Sequence, residues 1–241
     1  MFLLMAVLLA SNSLVLLCPA SAHAQGGVPL WTNYYNGPAN GDDNARAITV
    51  DSDGNVFVTG SSQGVGFFDD YYATIKYSNA GIPLWTNLYH GKGGGSAIAV
   101  DRSGDVVVTG TSGTSLDSNG PDYATIKYSS TGVPLWTNRY VGPSTTFDYA
   151  NAVAVDSSGN VFVTGSSYID SVTVAYSGAG IPLWTNRYPT HDGSTAIAVT
   201  HGDDIIVTGK ATLAYSNGGD PLWTNTNPLT APQQFFRLMP N

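Results

Sequence analysis

Glutamate is absent from this chain: its acidic charge comes from 17 aspartates, set against only nine lysines and arginines for a net charge of −8. Without Glu there is no bidentate ligand to finish an EF-hand calcium loop, and any carboxylate acid–base chemistry falls to Asp. Scarce, unclustered cations exclude nucleic acid and anionic membrane as partners, since both reward basic patches. Cysteine is limited to Cys18, so no disulfide framework is available and a hydrophobic core must stabilise the fold. Long apolar runs are missing after the first residues, and strong helix formers are few. What remains is rich in Gly, Ser, Asn, Val, Thr and Tyr, the composition of tight turns joining β-strands.

The one hydrophobic run, Met1 to Leu17, is interrupted at Ser11, Asn12 and Ser13. It is shorter than the ~20 apolar residues of a membrane-spanning helix. Small residues follow at Ala20-Ser21-Ala22-His23-Ala24, which reads as a secretory signal peptide cut after Ala24. Its n-region has no Lys or Arg, and Val15-Leu16-Leu17 before Cys18 lack the small residue of a lipoprotein site. The expected organisation is a signal peptide over 1–24, a repeat domain over 25–229 and a tail over 230–241. The expected destination is secreted, periplasmic or cell-surface, with no integral membrane segment after cleavage.

The phrase Pro-Leu-Trp-Thr-Asn occurs five times, at Pro29, Pro83, Pro134, Pro182 and Pro221, and contains all five tryptophans. Trp-to-Trp spacings shrink from 54 to 51, 48 and 39. A period in this range marks a solenoid, propeller or array. Between successive copies each unit offers three further strands. The first are Ala47–Val50, Ala97–Val100, Ala152–Val155 and Ala196–Val199. The second are Asn55–Gly60, Asp105–Gly110, Asn160–Gly165 and Asp204–Gly209. The third are Tyr72–Tyr77, Tyr123–Tyr128, Val172–Tyr176 and Ala211–Tyr215. Each is short, β-branched or aromatic, and bounded by turn residues. Runs such as Val106-Val107-Val108 are apolar on consecutive positions, which implies a sheet covered on both faces.

Four-stranded sheets covered on both faces and repeated about every 48 residues describe the blades of an all-β propeller. The phrases Ala-Ile-Ala-Val-Asp-x-Ser-Gly-Asn-Val-Phe-Val-Thr-Gly and Asp-Tyr-Ala-Thr-Ile-Lys-Tyr through Pro-Leu-Trp-Thr-Asn resemble the bacterial SBBP-type β-propeller repeat, distantly related to WD40-like repeats. The resemblance covers nearly all of 27–225 and implies a propeller; it brings no catalytic residues. The chain supplies four first, second and third strands but five fourth strands. A ring of about four blades is expected, with the extra N-terminal strand at Val28–Tyr35 closing it, or else a partial ring completed by a second copy, or an open array.

Recurrent motifs have structural readings. Asp51, Asp101 and Asp156 start turns that carry Gly at a position of positive φ, rather than metal loops; no metal or cofactor is expected. The tryptophans, each hiding about 150–250 Å² when buried, are expected to pack between blades rather than form a sugar platform. Lys76 and Lys127 are expected to meet strand-end or backbone acceptors.

Loop lengths differ by end. First-to-second and third-to-fourth turns are nearly constant, whereas second-to-third and fourth-to-first connections vary and fall together at the other end. Variable insertions on one face often mark binding. That face is expected to carry Phe67, Phe68, Asp69, His90, Phe147, Asp148, Tyr149, His191 and Asp192, with His201 at the opposite end. The function expected is a non-catalytic binding or scaffold module for protein or glycan. Two alternatives stand beside it: a hydrolase or lyase pairing Asp148 with His191, and a structural envelope component.

Overall fold

The computed structural model describes residues 28–66, 69–113, 120–143 and 147–225. Its strands form four separate four-stranded antiparallel sheets, each in sequence order. Blade I comprises β1 (Asp43–Val50), β2 (Val56–Ser62), β3 (Tyr71–Tyr77) and β4 (Pro83–Tyr89). Blade II is β5 (Gly94–Val100), β6 (Val106–Ser112), β7 (Asp122–Tyr128) and β8 (Pro134–Tyr140). Blade III is β9 (Asp148–Val155), β10 (Val161–Ser167), β11 (Asp170–Tyr176) and β12 (Pro182–Tyr188). Blade IV is β13 (Ser194–Val199), β14 (Ile205–Gly209), β15 (Thr212–Tyr215) and β16 (Pro221–Asn225). The expected all-β propeller of about four blades is the fold observed. Among the described residues no helix is long and apolar enough to cross a membrane.

Consecutive apolar residues in the second strands follow from packing on both faces. Val106, Val107 and Val108 are all fully buried. Val106 and Val108 face Phe57 and Tyr72 of blade I, while Val107 faces Val161 and Val163 of blade III. The Thr of Val-Thr-Gly in blades I, II and III is buried, and its hydroxyl pairs with a Thr of the third strand. Thr59 Oγ1 lies 3.2 Å from Thr74 Oγ1, Thr109 2.9 Å from Thr125 and Thr164 3.0 Å from Thr173. Each buried hydroxyl therefore has a partner, as burial requires.

The joint between blades is the same each time. The Trp of a fourth strand donates its indole N–H to a carbonyl in the third-to-fourth turn of the next blade: Trp85 to Ser130, Trp136 to Gly178 and Trp184 to Asn217, at 3.2, 3.1 and 2.8 Å. Two residues on, Asn87, Asn138 and Asn186 donate to Gly132, Gly180 and Gly219 at 2.8, 2.7 and 2.7 Å. The indoles also pack on Tyr128, Tyr176 and Tyr215 at 5.9–6.1 Å between ring centroids. That turn must be Gly twice over: Gly180 has φ 82°, and a Cβ there would stand 2.6 Å from Trp136 Cγ.

Among the described residues, packing between blades runs I–II, II–III and III–IV, with no comparable packing of IV on I. Of the three arrangements expected, a closed ring, a partial ring or an open array, the described residues form one that blade IV does not close on blade I. The expected N-terminal strand is a correction, because residues 31–37 pair with no strand. Trp31 nonetheless uses the joint, donating to Asn79 O at 3.3 Å, while Asn33 donates to Gly81 O at 2.7 Å. The segment sits where a preceding blade would place its fourth strand. β16 meanwhile holds its own place beside β15, so the two copies do not share one position.

Two glycines separate the cost of the joint from the cost of the turn. Gly159 has φ 84° but open space around its Cβ position. Gly159→Ala should cost about 1–2 kcal/mol for left-handed backbone alone. Gly180→Ala should cost clearly more, because the Trp136 indole must also move. Equal losses in paired denaturant titrations would show that the tryptophan contact contributes nothing.

Candidate functional site

Antiparallel order places the second-to-third and fourth-to-first connections at one end of every blade. Backbone bonds tie them to one another: Gly93 N donates to Asp70 O and Asp148 N to Pro121 O, each from one blade to its neighbour, at 3.0 and 2.8 Å. At this end, where the first strands of blades I, II and III converge, lies an open cavity of about 370 Å³. Arg46, Ser96 and Asn151 line it, together with Ser61, Asp70, Thr111 and Tyr149.

Arg46, Ser96 and Asn151 occupy one structural position. The pairing of first with second strand slips by one residue between Ala45 and Ala47, between Gly95 and Ala97, and opposite the Thr164–Gly165 step. The residue left over in each case is Arg46, Ser96 or Asn151, and Thr195 is its counterpart in blade IV. Each is a β-bulge, the device that re-aims a side chain out of a regular ladder. The Gly of each Val-Thr-Gly accommodates it. A Cβ on Gly60, Gly110 or Gly165 would run into the carbonyl oxygen of Asn44, Gly94 or Tyr149 on the bulged strand. An unvarying frame therefore presents four different polar side chains.

Sequence reasoning missed these four residues. The available signal was the single variable position before Ala47, Ala97, Ala152 and Ala196 in otherwise repeated strands.

The residues expected at the loop end are dispersed. Phe67 and Phe68 lie outside the described residues. Asp69 accepts from the Tyr71 hydroxyl at 3.4 Å, and exposed His90 stacks on Tyr71 at 4.1 Å between ring centroids. Phe147 and Tyr149 stack at 6.1 Å and 26°, and both are exposed. Asp148 is fully buried and accepts the Gly142 amide at 2.6 Å; Asp43 does the same for Gly37 at 2.7 Å. This carboxylate closes its own connection instead of facing solvent. His191 and Asp192 are exposed, and no hydrogen bond or ion pair links His191 to Asp148 among the described residues. No group of His, Cys or Asp side chains able to hold a metal gathers among the described residues.

At the opposite end, the turn aspartates are spent on their own loops. Asp101 accepts from the amides of Ser103 and Asp105 at 2.8 and 3.0 Å, and Asp51 does likewise for Asp53 and Asn55. Lys127 lies 2.8 Å from Asp101 and donates to Gly178 O of the next blade at 3.5 Å. Lys76 lies 3.6 Å from Asp51 and donates to Ser130 O at 3.1 Å. In blade III the lysine is replaced by Ala175, and Asn217 of blade IV reaches Asp156 instead, at 2.8 Å.

The SBBP β-propeller repeat profile matches residues 30–68 and 135–171, and the chain carries this repeat. Each match begins in a Pro-Leu-Trp-Thr-Asn phrase and runs on into the inner strands of the following blade, so the sequence repeat straddles a joint. No curated protein matches the sequence. Among solved structures, a protein of unknown function from Bacteroides caccae superposes with TM-score 0.53 at 11% identity, over 80% of this chain and 64% of that one. The Dos1 propeller superposes with TM-score 0.55 at 10% identity, over 78% and 49%. These likenesses are of fold. The chain spans 64% and 49% of the lengths of those two proteins.

Asp156 carries the pH dependence of this end. Burial opposes its charge, but hydrogen bonds from Asn217, Asn160 and the amides of Asn160 and Ser158 outweigh burial and hold its pKa below the ordinary 3.8. A depressed carboxyl contributes stability above its unfolded pKa and loses it as pH falls through the folded value. Unfolding titrations should show stability falling as pH drops below about 3.8. Asp156→Asn, which turns an amide toward the donors of Asn160 and Asn217, should cost about 1–3 kcal/mol at pH 7 and much less in acid. A difference between wild type and variant that is undiminished in acid would refute this assignment.

Proposed function

We propose that this SBBP-repeat propeller is an exported, non-catalytic binding module that recognises a glycan at the loop-end mouth of its axis. The observation that carries the reading is the mouth itself. A constant bulged frame presents Arg46, Ser96 and Asn151 beside the exposed Tyr149. Hydroxyl, amide and guanidinium groups supply hydrogen bonds to a polyhydroxylated ligand, and the Phe147–Tyr149 pair offers ring faces against which a sugar can lie. Variation concentrated at the bulge positions and loops, on a recurring scaffold, is how a repeat fold acquires specificity without altering its core. Export rests on the leader read from 1–24, which points to a secreted, periplasmic or cell-surface location.

A hydrolase or lyase reading has less support. Its best acid–base candidate, Asp148, is buried against Gly142, where the carboxylate is committed to loop closure. A protein partner at the same mouth is the competing non-catalytic reading.

The test is a binding screen of the purified chain against a glycan panel and a panel of secreted proteins. Arg46 and Tyr149 are exposed, so Arg46→Ala and Tyr149→Ala should leave the melting temperature unchanged. Each should weaken a glycan hit by about tenfold or more, the loss of one good contact of ~1.4 kcal/mol. A glycan hit indifferent to both substitutions, or hits among proteins alone, would reject the glycan reading.

A further inference from the structure

The two ends of the array are the two halves of the joint that the chain builds three times internally. On the second-blade side of joint I–II, Val106, Val108, Ile126 and Tyr128 pack with Ile98 and Val100. Their counterparts in blade I are Val56, Val58, Ile75, Tyr77, Ile48 and Val50. Among the described residues no blade packs on this face: Ile48 and Val50 are 66% and 53% exposed, Val56 and Val58 are half-buried, and Ile75 and Tyr77 are buried, with Trp31 lying on Tyr77. Ile48, Val56, Val58, Ile75 and Tyr77 line an open groove of about 380 Å³, with Trp31 along it.

The complementary half is at blade IV. Trp223 stands where Trp85, Trp136 and Trp184 enter the next blade, yet it is 42% exposed and its indole N–H has no acceptor among the described residues. A socket without its blade and a tryptophan without its socket are thus carried by the same chain.

We propose that two copies of this chain join head to tail, blade IV of each packing on the open face of blade I of the other, to close an eight-bladed ring. Such a joint is heterologous, and heterologous contacts form closed rings when the rotation returns on itself. Two four-bladed copies give eight blades, at the upper end of the common range of about four to eight. The seat of Trp223 on blade I, beside Asn79 and Gly81, is taken in the single chain by Trp31 and Asn33. Of these two occupants the N-terminal one is the easier to displace. It has no ladder to any strand, whereas β16 is paired along β15 from Pro221 to Asn225. Trp31 is therefore a placeholder that yields to Trp223 of the second copy.

Sedimentation equilibrium over a wide concentration range on the full chain tests this. The expected result is a monomer–dimer equilibrium that stops at twice the chain mass. Trp223→Ala should raise the dimer dissociation constant about 30-fold or more, as for an interface hot spot. Val58→Lys, on the open face, should abolish dimers while the monomer still melts cooperatively. Trp31→Ala combined with Asn33→Ala should tighten the dimer by vacating the seat. A strict monomer in both wild type and the double variant overturns the proposal, as does growth beyond the dimer. Trp223→Ala without effect overturns the joint, and a double variant that dimerises no better overturns the placeholder.

Discussion

The structure depends on one latch, in which a Trp and the Asn two residues later reach from the outer strand of one blade into the third-to-fourth turn of the next. A β-sheet with apolar residues on both faces cannot stand alone in water, so each blade needs neighbours on both sides. The latch supplies register as well as burial. The indole fixes which carbonyl it meets, the Asn fixes the Gly beside it, and the absence of a Cβ on that Gly sets how closely the sheets approach. Lys76 and Lys127 add a second tie at the same edge, and Asn217 replaces that tie where the lysine is missing.

Because the main packing of each blade among the described residues is with its sequence neighbours, the array behaves as a quasi one-dimensional solid in which local joints sum to global stability. Such arrays have an end problem: the first and last units expose surfaces made for burial. Here the N-terminal end is partly dressed by Trp31 and Asn33, which reproduce the latch without contributing a paired strand, while the C-terminal end shows Trp223. Both ends of the blades are tied across the joints. The turn end is held by aspartates and by indole, amide and lysine donors, and the loop end by Gly93 N to Asp70 O, Asp148 N to Pro121 O and the bulge residue Asn151 to Ser194 O. The residue types differ from blade to blade at the bulges and in the loops, so polar variety accumulates around the axis.

Much of this was legible in the chain. Consecutive apolar residues in the second strands announced sheets covered on both faces, and the fixed place of the tryptophans announced the packing between blades that Trp85, Trp136 and Trp184 make. Asp51, Asp101 and Asp156 read correctly as turn residues because hydrophobic strand resumes immediately after them. Asp148 did not read correctly as a surface residue. Nothing in Phe147-Asp148-Tyr149 separates a carboxylate facing solvent from one folded back onto the amide of Gly142, six positions earlier. The bulge residues were also hidden, since a bulge is a relation between two strands and Arg46 alone looks like a polar residue in a polar-flanked strand.

The amino-acid sequence by itself determined strand identity within the blades, turn chemistry, blade number and the role of Pro-Leu-Trp-Thr-Asn, because all of these arise from short-range preferences repeated from unit to unit. Tertiary structure alone decided where the fifth copy goes. Its residues are those of an outer strand, but a strand exists only when a neighbour offers a ladder, and beside residues 31–37 none does. Whether the ring closed was likewise undecided in one dimension. It depends on the angle accumulated from blade to blade, which is set by how indole, tyrosine and glycine stack in three dimensions.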